Sequence, residues 1–255
     1  MNDVKTERLW LMHGDCLERM KEIPDGSVDM VLADPPYQMT QNSWDCMIDV
    51  EQMWAELKRV IKPSGAILLF GSQPFTTKLA ASNMSWLRYM WYWRKSRPAG
   101  HMNAKKAPLR DVEDIVVFYS KQPTYNPQGI VECSVVKKNT KARSANGSNY
   151  GAVAVDGKDH VQKATNYPRQ VLDFASPHNV GALHPTQKPV ALLEYLIKTY
   201  TNEGETVLDF TAGSFTTGVA CVNLNRKGIM IEKDPHYFKV GSGRVERALS
   251  GKVIN

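Results

Sequence analysis

Glu205-Thr-Val-Leu-Asp-Phe-Thr-Ala-Gly-Ser-Phe-Thr-Thr-Gly218, followed by Gly228-Ile-Met-Ile-Glu-Lys-Asp234, is the stretch whose reading decides the fold. It reads as a buried strand, a loop of small residues, a helix start and a second strand that ends in an acid. Ala212, Gly213 and Ser214 let backbone approach a ligand closely. Thr216-Thr217-Gly218 sets hydroxyls and N–H groups at a helix start, where a carboxylate or phosphate is favoured. Glu232 is placed to accept from ribose hydroxyls, as the acid about 20 residues after the glycine loop does in dinucleotide folds. The dinucleotide reading suffers because G-x-G-x-x-G is absent, Gly213 and Gly218 being the only glycines in the loop.

Working outward, the apolar run Val28-Asp-Met-Val-Leu-Ala33 is closed by Asp34-Pro35-Pro36-Tyr37. Two prolines leave that stretch without N–H donors, so its carbonyls stay free to accept from an NH₂ while the acid takes the second hydrogen. Tyr37 can stack on the ring that carries the amine. Taken alone, the tetrapeptide is equally an ordinary turn after a strand.

The rest of the chain alternates. Arg8–His13 is a short strand ended by Gly14-Asp15, with a helical stretch from Cys16 to Ile23, and a helix spans Asp49 to Ile61. Gly65–Phe70 is a strand, about Pro74 to Asn83 a helix, and Tyr89–Trp93 and Asp114–Tyr119 are strands by their β-branched and aromatic content. Pro189–Tyr200 is an amphipathic helix that leads into the strand Thr206–Phe210. Such alternation implies a mostly parallel sheet covered on both faces, with ligands outside the carboxyl ends of its strands. The Asp34 and Asp209 loops both occupy such ends. From 121 to 183 the character changes to Gly, Asn, Ser and Lys, which marks an insertion.

At 255 residues and 42% hydrophobic, the chain is long enough for one α/β core plus an insertion. No apolar run approaches a membrane span and Met1–Glu7 lacks the apolar core of a secretory signal, so a cytoplasmic protein is expected. Cys16, Cys46, Cys133 and Cys221 lack metal or disulfide spacing. The net charge of +6 suits a polyanion, and the cations between Trp93 and Lys163 are where phosphates are expected. Within that stretch, Arg94, Lys95, Lys105, Lys106, Lys137, Lys138, Lys141 and Arg143 are the candidate phosphate contacts, with Trp44 in the polar loop after Tyr37 a candidate for the same partner.

Gly14-Asp15-Cys16, Asp34-Pro-Pro-Tyr37, Trp93-Arg-Lys95, Glu113-Asp-Ile-Val-Val-Phe118, His184-Pro-Thr-Gln-Lys-Pro189, Asp209 to Gly218 and Ile231-Glu-Lys-Asp234 occur in that order. Together they resemble the amino-group DNA methyltransferases that use S-adenosyl-L-methionine, in the permuted group whose tetrapeptide precedes the cofactor loop. The resemblance implies a Rossmann-like class I methyltransferase. Its sheet would be mostly parallel and seven-stranded with helices on both faces, built from 1–120 and 184–255, with 121–183 as a target-recognition insertion.

By the same resemblance, Asp34 and the Pro35 carbonyl accept the two amino hydrogens of a flipped base, Pro36 belongs to the same catalytic tetrapeptide, and Tyr37 stacks on the base. Asp15, with Cys16, lies near the cofactor adenine, and Glu232, with Lys233, near its ribose. Asp209, Phe210, Thr211, Gly213, Ser214, Thr216 and Thr217, with His184, Thr186 and Lys188, take the methionine part. Asp15 also reads as a helix cap. Double-stranded DNA is the implied partner, a homodimer is an open possibility, and no metal is expected. Aspartate at the head of the tetrapeptide leans toward N6 of adenine. N4 of cytosine, the amide of a protein glutamine, and a silent DNA-binding relative remain as alternatives. One departure stands out: Phe215 and Thr211 occupy places where the family usually has glycine and often has phenylalanine. The Phe215 ring is expected to turn away from the cofactor.

Overall fold

The computed structural model describes residues 2–36, 48–137, 160–176 and 187–251. In chain order the elements are β1 (Val4–Lys5), β2 (Leu9–His13), α1 (Cys16–Met20), β3 (Val28–Ala33), α2 (Val50–Val60), β4 (Ile61–Gly71), α3 (Phe75–Ser82), β5 (Leu87–Ala99), β6 (Arg110–Phe118), β7 (Val131–Lys137), β8 (His160–Thr165), β9 (Val171–Phe174), α4 (Val190–Tyr200), β10 (Thr206–Asp209), α5 (Thr216–Asn223), β11 (Lys227–Glu232) and α6 (Pro235–Leu249).

The main sheet runs β1-β2-β11-β10-β3-β4-β6-β5-β9. Seven strands from β2 to β5 form the expected class I sheet, and β1 and β9 each add one strand at an edge. From β2 to β4 every pairing is parallel, and β6 is antiparallel to both β4 and β5. Strand order reverses at the β10–β3 pair, since α5 leads from β10 to one side while α2 leads from β3 to the other. A crevice opens at such a point, at the carboxyl ends of the strands.

Buried residues alternate between the two faces, as a two-sided sheet requires. On β3, Met30 and Leu32 join a core built with Leu193, Leu196 and Tyr200 of α4, Val219 of α5 and Phe238 and Val245 of α6. Val31 and Ala33 face the opposite core, with Met20 of α1, Met53, Trp54, Leu57 and Val60 of α2, and Leu79 of α3. In α2 those four apolar residues recur at helical spacing, and burying each contributes about 1.5–3 kcal/mol. Asp49 caps this helix by accepting from the N–H groups of Glu51 and Gln52. No helix among the described residues is long and apolar enough to cross a membrane.

Two compact units are present: Met1–Asn126 with Gln170–Asn255, and Pro127–Arg169. The second is narrower than the expected 121–183 insertion. Asn126 donates to carbonyls of Lys198 and Thr201, and β9 pairs in parallel with β5 from Tyr92↔Val171 to Lys95↔Phe174, so both flanks belong to the main unit. The reason is local: Val171-Leu-Asp-Phe174 is a strand-forming tetrapeptide and buries Leu172. Within Pro127–Arg169, β7 and β8 make an antiparallel pair registered from Val131↔Thr165 to Lys137↔His160.

Candidate active site

Four strand ends supply the site. β3 ends at Ala33 just before Asp34, β10 ends at Asp209, β11 at Glu232, and β2 at His13, two residues before Asp15. Registers Val207↔Met30, Asp209↔Met230 and Glu232↔His13 bring all four carboxylates to one edge.

Asp34 is half-buried, and its Oδ2 accepts from Lys188 Nζ at 2.6 Å. The same ammonium lies 2.6 Å from Glu113 Oε1, and Lys95 Nζ lies 2.6 Å from Glu113 Oε2. Lys188 also sits 4.9 Å from the centre of the Phe70 ring. Burial by itself would push the Lys188 ammonium down, but Asp34 and Glu113 outweigh it and hold it well above the usual lysine range. For Glu113, burial pushes the carboxyl up, and the Lys188 and Lys95 charges prevail and hold it down.

Asp209 is buried, with Oδ2 accepting from the Thr217 hydroxyl at 2.6 Å and Oδ1 from the Thr211 N–H at 3.1 Å. Burial pushes its carboxyl up to about 7; the two hydrogen bonds counteract this, and the Asp34 and Glu232 charges reinforce it. Glu232 accepts from the N–H groups of Gly213 at 2.8 Å and Asp234 at 2.7 Å, and burial raises its carboxyl too. Asp15 caps α1 by accepting from the Leu17 N–H and pairs with Lys233 Nζ at 3.1 Å, so the capping reading holds whatever else Asp15 binds. Burial and then the Asp15 charge push the Cys16 thiol up to about 12, which leaves it no thiolate character near neutrality.

Loop side chains point elsewhere than expected. Ser214, Thr216 and Thr217 are buried, the first two accepting from Arg244 Nη1 at 2.9 Å each, and Thr217 donating to Asp209. Phe210 belongs to the core beside α2. The side chains of these residues are therefore taken up inside the chain. Gly213 and Phe215 both take left-handed backbone, with φ 52° and 58°. The Phe215 ring is fully buried against α6, edge-on to Phe238 at 5.6 Å. Gly241 makes room for it, since a Cβ there would lie 2.5 Å from the ring.

Arg94 pairs with Asp173 through two hydrogen bonds of 2.5 and 2.9 Å, and Lys95 turns inward to Glu113. Both cations are thus paired with carboxylates of the chain. Lys105 and Lys106 are exposed in the turn after His101–Asn103. Tyr37, Trp44, Lys138, Lys141, Arg143, His184 and Thr186 lie outside the described residues, as does the Lys137 side chain. Sequence reasoning assigned no role to Glu113 or Arg244. Nothing local marks Arg244, a buried guanidinium that burial, and then Arg247, lowers to about 10.

The family model described as DNA methylase, of the N6/N4 group, matches residues 28–242. The chain is 31% identical over 265 residues to the DNA adenine methyltransferase YhdJ of Escherichia coli (strain K12), covering 97% of this chain and 84% of the relative. Among solved structures it is similar to the M1.HpyAVI–SAM complex, with a TM-score of 0.64 and 24% identity over 93% of this chain and 98% of that one. It is also similar to the cytosine-N4-specific PvuII DNA methyltransferase, with a TM-score of 0.66 and 17% identity over 98% and 97%. Both structures share the fold. Sequence, motif order and sheet topology agree, and the chain belongs to the N6/N4 family of DNA methylases.

Proposed function

We propose that this DNA methylase transfers a methyl group from S-adenosyl-L-methionine, the cofactor of its family, to the exocyclic N6 of adenine in a specific DNA sequence. The observation that carries the choice of base is the 31% identity to a protein named as an adenine methyltransferase, over 97% of the chain. Asp34 at the head of the tetrapeptide agrees with it. The likeness to a cytosine-N4-specific enzyme extends to the fold, and keeps N4 of cytosine as the second reading.

The residues at the strand ends fit the cofactor. Its sulfonium and ammonium are cations, and Asp34, Asp209 and Glu232 form an acidic edge whose members act on one another electrostatically. The buried Thr211 hydroxyl makes no hydrogen bond among the described residues, which leaves a polar group for a ligand to satisfy. The Phe215 ring packs into α6 against Phe238. When bound, the cofactor supplies a methyl on positively charged sulfur, a good electrophile. Glu232 and Asp15 would hold its nucleoside end, and Asp209 with the 211–217 backbone its amino-acid end.

Asp34 accepts one hydrogen of the flipped amine and the Pro35 carbonyl the other, keeping the nitrogen lone pair out of full conjugation and aimed along the transfer line. Tyr37 stacks on the base. Positioning and electrostatics then supply the rate without a covalent enzyme intermediate. Incubation of the protein with DNA and the cofactor, then digestion and mass spectrometry of the nucleosides, is expected to give N6-methyladenine and no N4-methylcytosine. Methylated cytosine promotes the second reading.

Proton linkage gives another expected result. The Asp209 carboxyl, raised to about 7, is neutral in acid and becomes an anion as pH rises through that value, so a cation bound beside it is favoured above pH 7 and must displace a proton below. Cofactor affinity should therefore weaken more than about tenfold between pH 7.5 and 5.5, and Asp209→Asn should be weaker and nearly flat. Calorimetric titration reads both. A wild-type affinity that ignores pH contradicts the assignment.

A further inference from the structure

We propose that Glu113, backed by Lys95, is a positioning residue of the transfer step: it fixes the Lys188 ammonium so that the Asp34 carboxylate stays aimed at the amine. Four groups of alternating charge, Lys95, Glu113, Lys188 and Asp34, meet in series at 2.6 Å per contact. They come from β5, β6, the segment before α4 and the end of β3, so the sheet itself holds the series in line. Side-chain exposures of 8% for Glu113 and 11% for Lys188 put the middle pair out of bulk solvent, while Asp34 at 22% reaches the edge where a base would arrive.

The chemistry asks for this arrangement. A carboxyl group accepts from an amine more strongly as an anion than as a neutral acid. At the edge shared with Asp209 and Glu232, like charge repels the Asp34 carboxylate from a fixed position. Lys188 counters that, but an ammonium held by Asp34 alone would spend its donors there. Glu113 Oε1, 2.6 Å from the ammonium, takes part of its charge, and Lys95 Nζ lies 2.6 Å from the other oxygen of Glu113. A tie meant only to join β5, β6 and the 187–189 segment would need no charges, because buried ion pairs stabilise little over apolar packing. Facing Lys188 are Asp34 from the end of β3, Glu113 from β6 with Lys95 of β5 behind it, and the Phe70 ring from β4.

The proposal rests on the DNA-methylating reading, and the test separates the two. Single-turnover methyl transfer is measured against pH for the wild type, Glu113→Gln and Lys95→Met, alongside cofactor and DNA affinities. Glu113→Gln should slow transfer on the order of tenfold, less than the 10²–10³-fold of a group that touches the reacting atoms, with both affinities little changed. Its rate should also gain an alkaline limb that the wild type lacks: with one carboxylate gone, burial counts for more, the ammonium loses its proton at lower pH, and Asp34 loses its support. Lys95→Met should lower the rate by a smaller factor and leave the salt dependence of DNA binding intact. A slope of log affinity against log salt reduced by about one, with an unchanged pH profile, would instead make Lys95 a phosphate contact and overturn its part.

Wild-type rate and profile in Glu113→Gln would overturn the whole. Should that variant not fold, Glu113→Asp keeps the charge but falls short of Lys188, and the same loss and limb are expected, with wild-type behaviour again contradicting the proposal. A wild type that transfers nothing to DNA defeats the proposed function, yet NMR titration of the Lys188 side-chain nitrogen still decides here. An unchanged Lys188 titration in Glu113→Gln rejects the proposal.

Discussion

Replacing Asp34 with alanine is expected to slow methyl transfer by about 10²–10³-fold while cofactor affinity stays within about twofold. The lost group is an acceptor whose geometry is set before the base arrives, so no reorganisation can replace it. Lys188 keeps Glu113 at 2.6 Å, which limits the structural damage. The loss of stability should fall below the 3–5 kcal/mol typical of a fully broken buried pair. Asp34→Asn separates charge from shape: it keeps an acceptor oxygen, loses the pair with Lys188, and should lie between alanine and wild type in rate. Single-turnover kinetics with calorimetric titration of the cofactor read these outcomes, and near-normal transfer by the alanine variant removes Asp34 from the mechanism.

Phe215→Ala is expected to cost about 3–5 kcal/mol of stability without tightening cofactor binding, because a fully buried ring is removed from a pocket shaped around it. Phe215→Gly should cost about 1–2 kcal/mol less, since glycine accepts a φ of 58° that phenylalanine adopts under strain. From the other side of the same contact, Gly241→Ala should destabilise by about 1–3 kcal/mol, as its Cβ would meet the ring at 2.5 Å. Urea unfolding and cofactor titration together decide: tighter binding at unchanged stability would show that the ring obstructs the loop after all.

The glycine that the resemblance leads one to expect at position 215 suits this geometry, since left-handed backbone costs glycine nothing. Left-handed backbone at the helix start persists here with a side chain present, and Gly241 is what allows that side chain to be large. No reading of the loop alone could show where the ring goes, because the answer lies in a helix later in the chain. Helix α6 itself went unread: Gly241 and Gly243 interrupt its apolar pattern, although Asp234 caps it and Pro235 starts it. Strand β9 was concealed in the same way, four residues long inside a polar stretch.

What was legible is the sheet and its edge. Period-two burial on strands and 3.6-residue spacing on α2 and α4 are local signals, and parallel alternation brings strand ends together whatever the loops do. Asp34, Asp209 and Glu232 could therefore be assigned to one edge from sequence. The partners of Asp34 could not. The resemblance places Lys188 with the methionine part and the run of cations places Lys95 with phosphates; the antiparallel insertion of β6 between β4 and β5, which delivers Glu113 to both ammoniums, depends on strand pairing that composition does not encode.

Modified-base sequencing of DNA from cells that express the wild-type chain, compared with cells that express Asp34→Ala, tests the central claim most directly. The expected result is N6-methyladenine at one recurring sequence context with the wild type and its absence with the variant. Methylation confined to cytosine, or adenine methylation that persists in the Asp34→Ala cells at the same sites, would contradict the account.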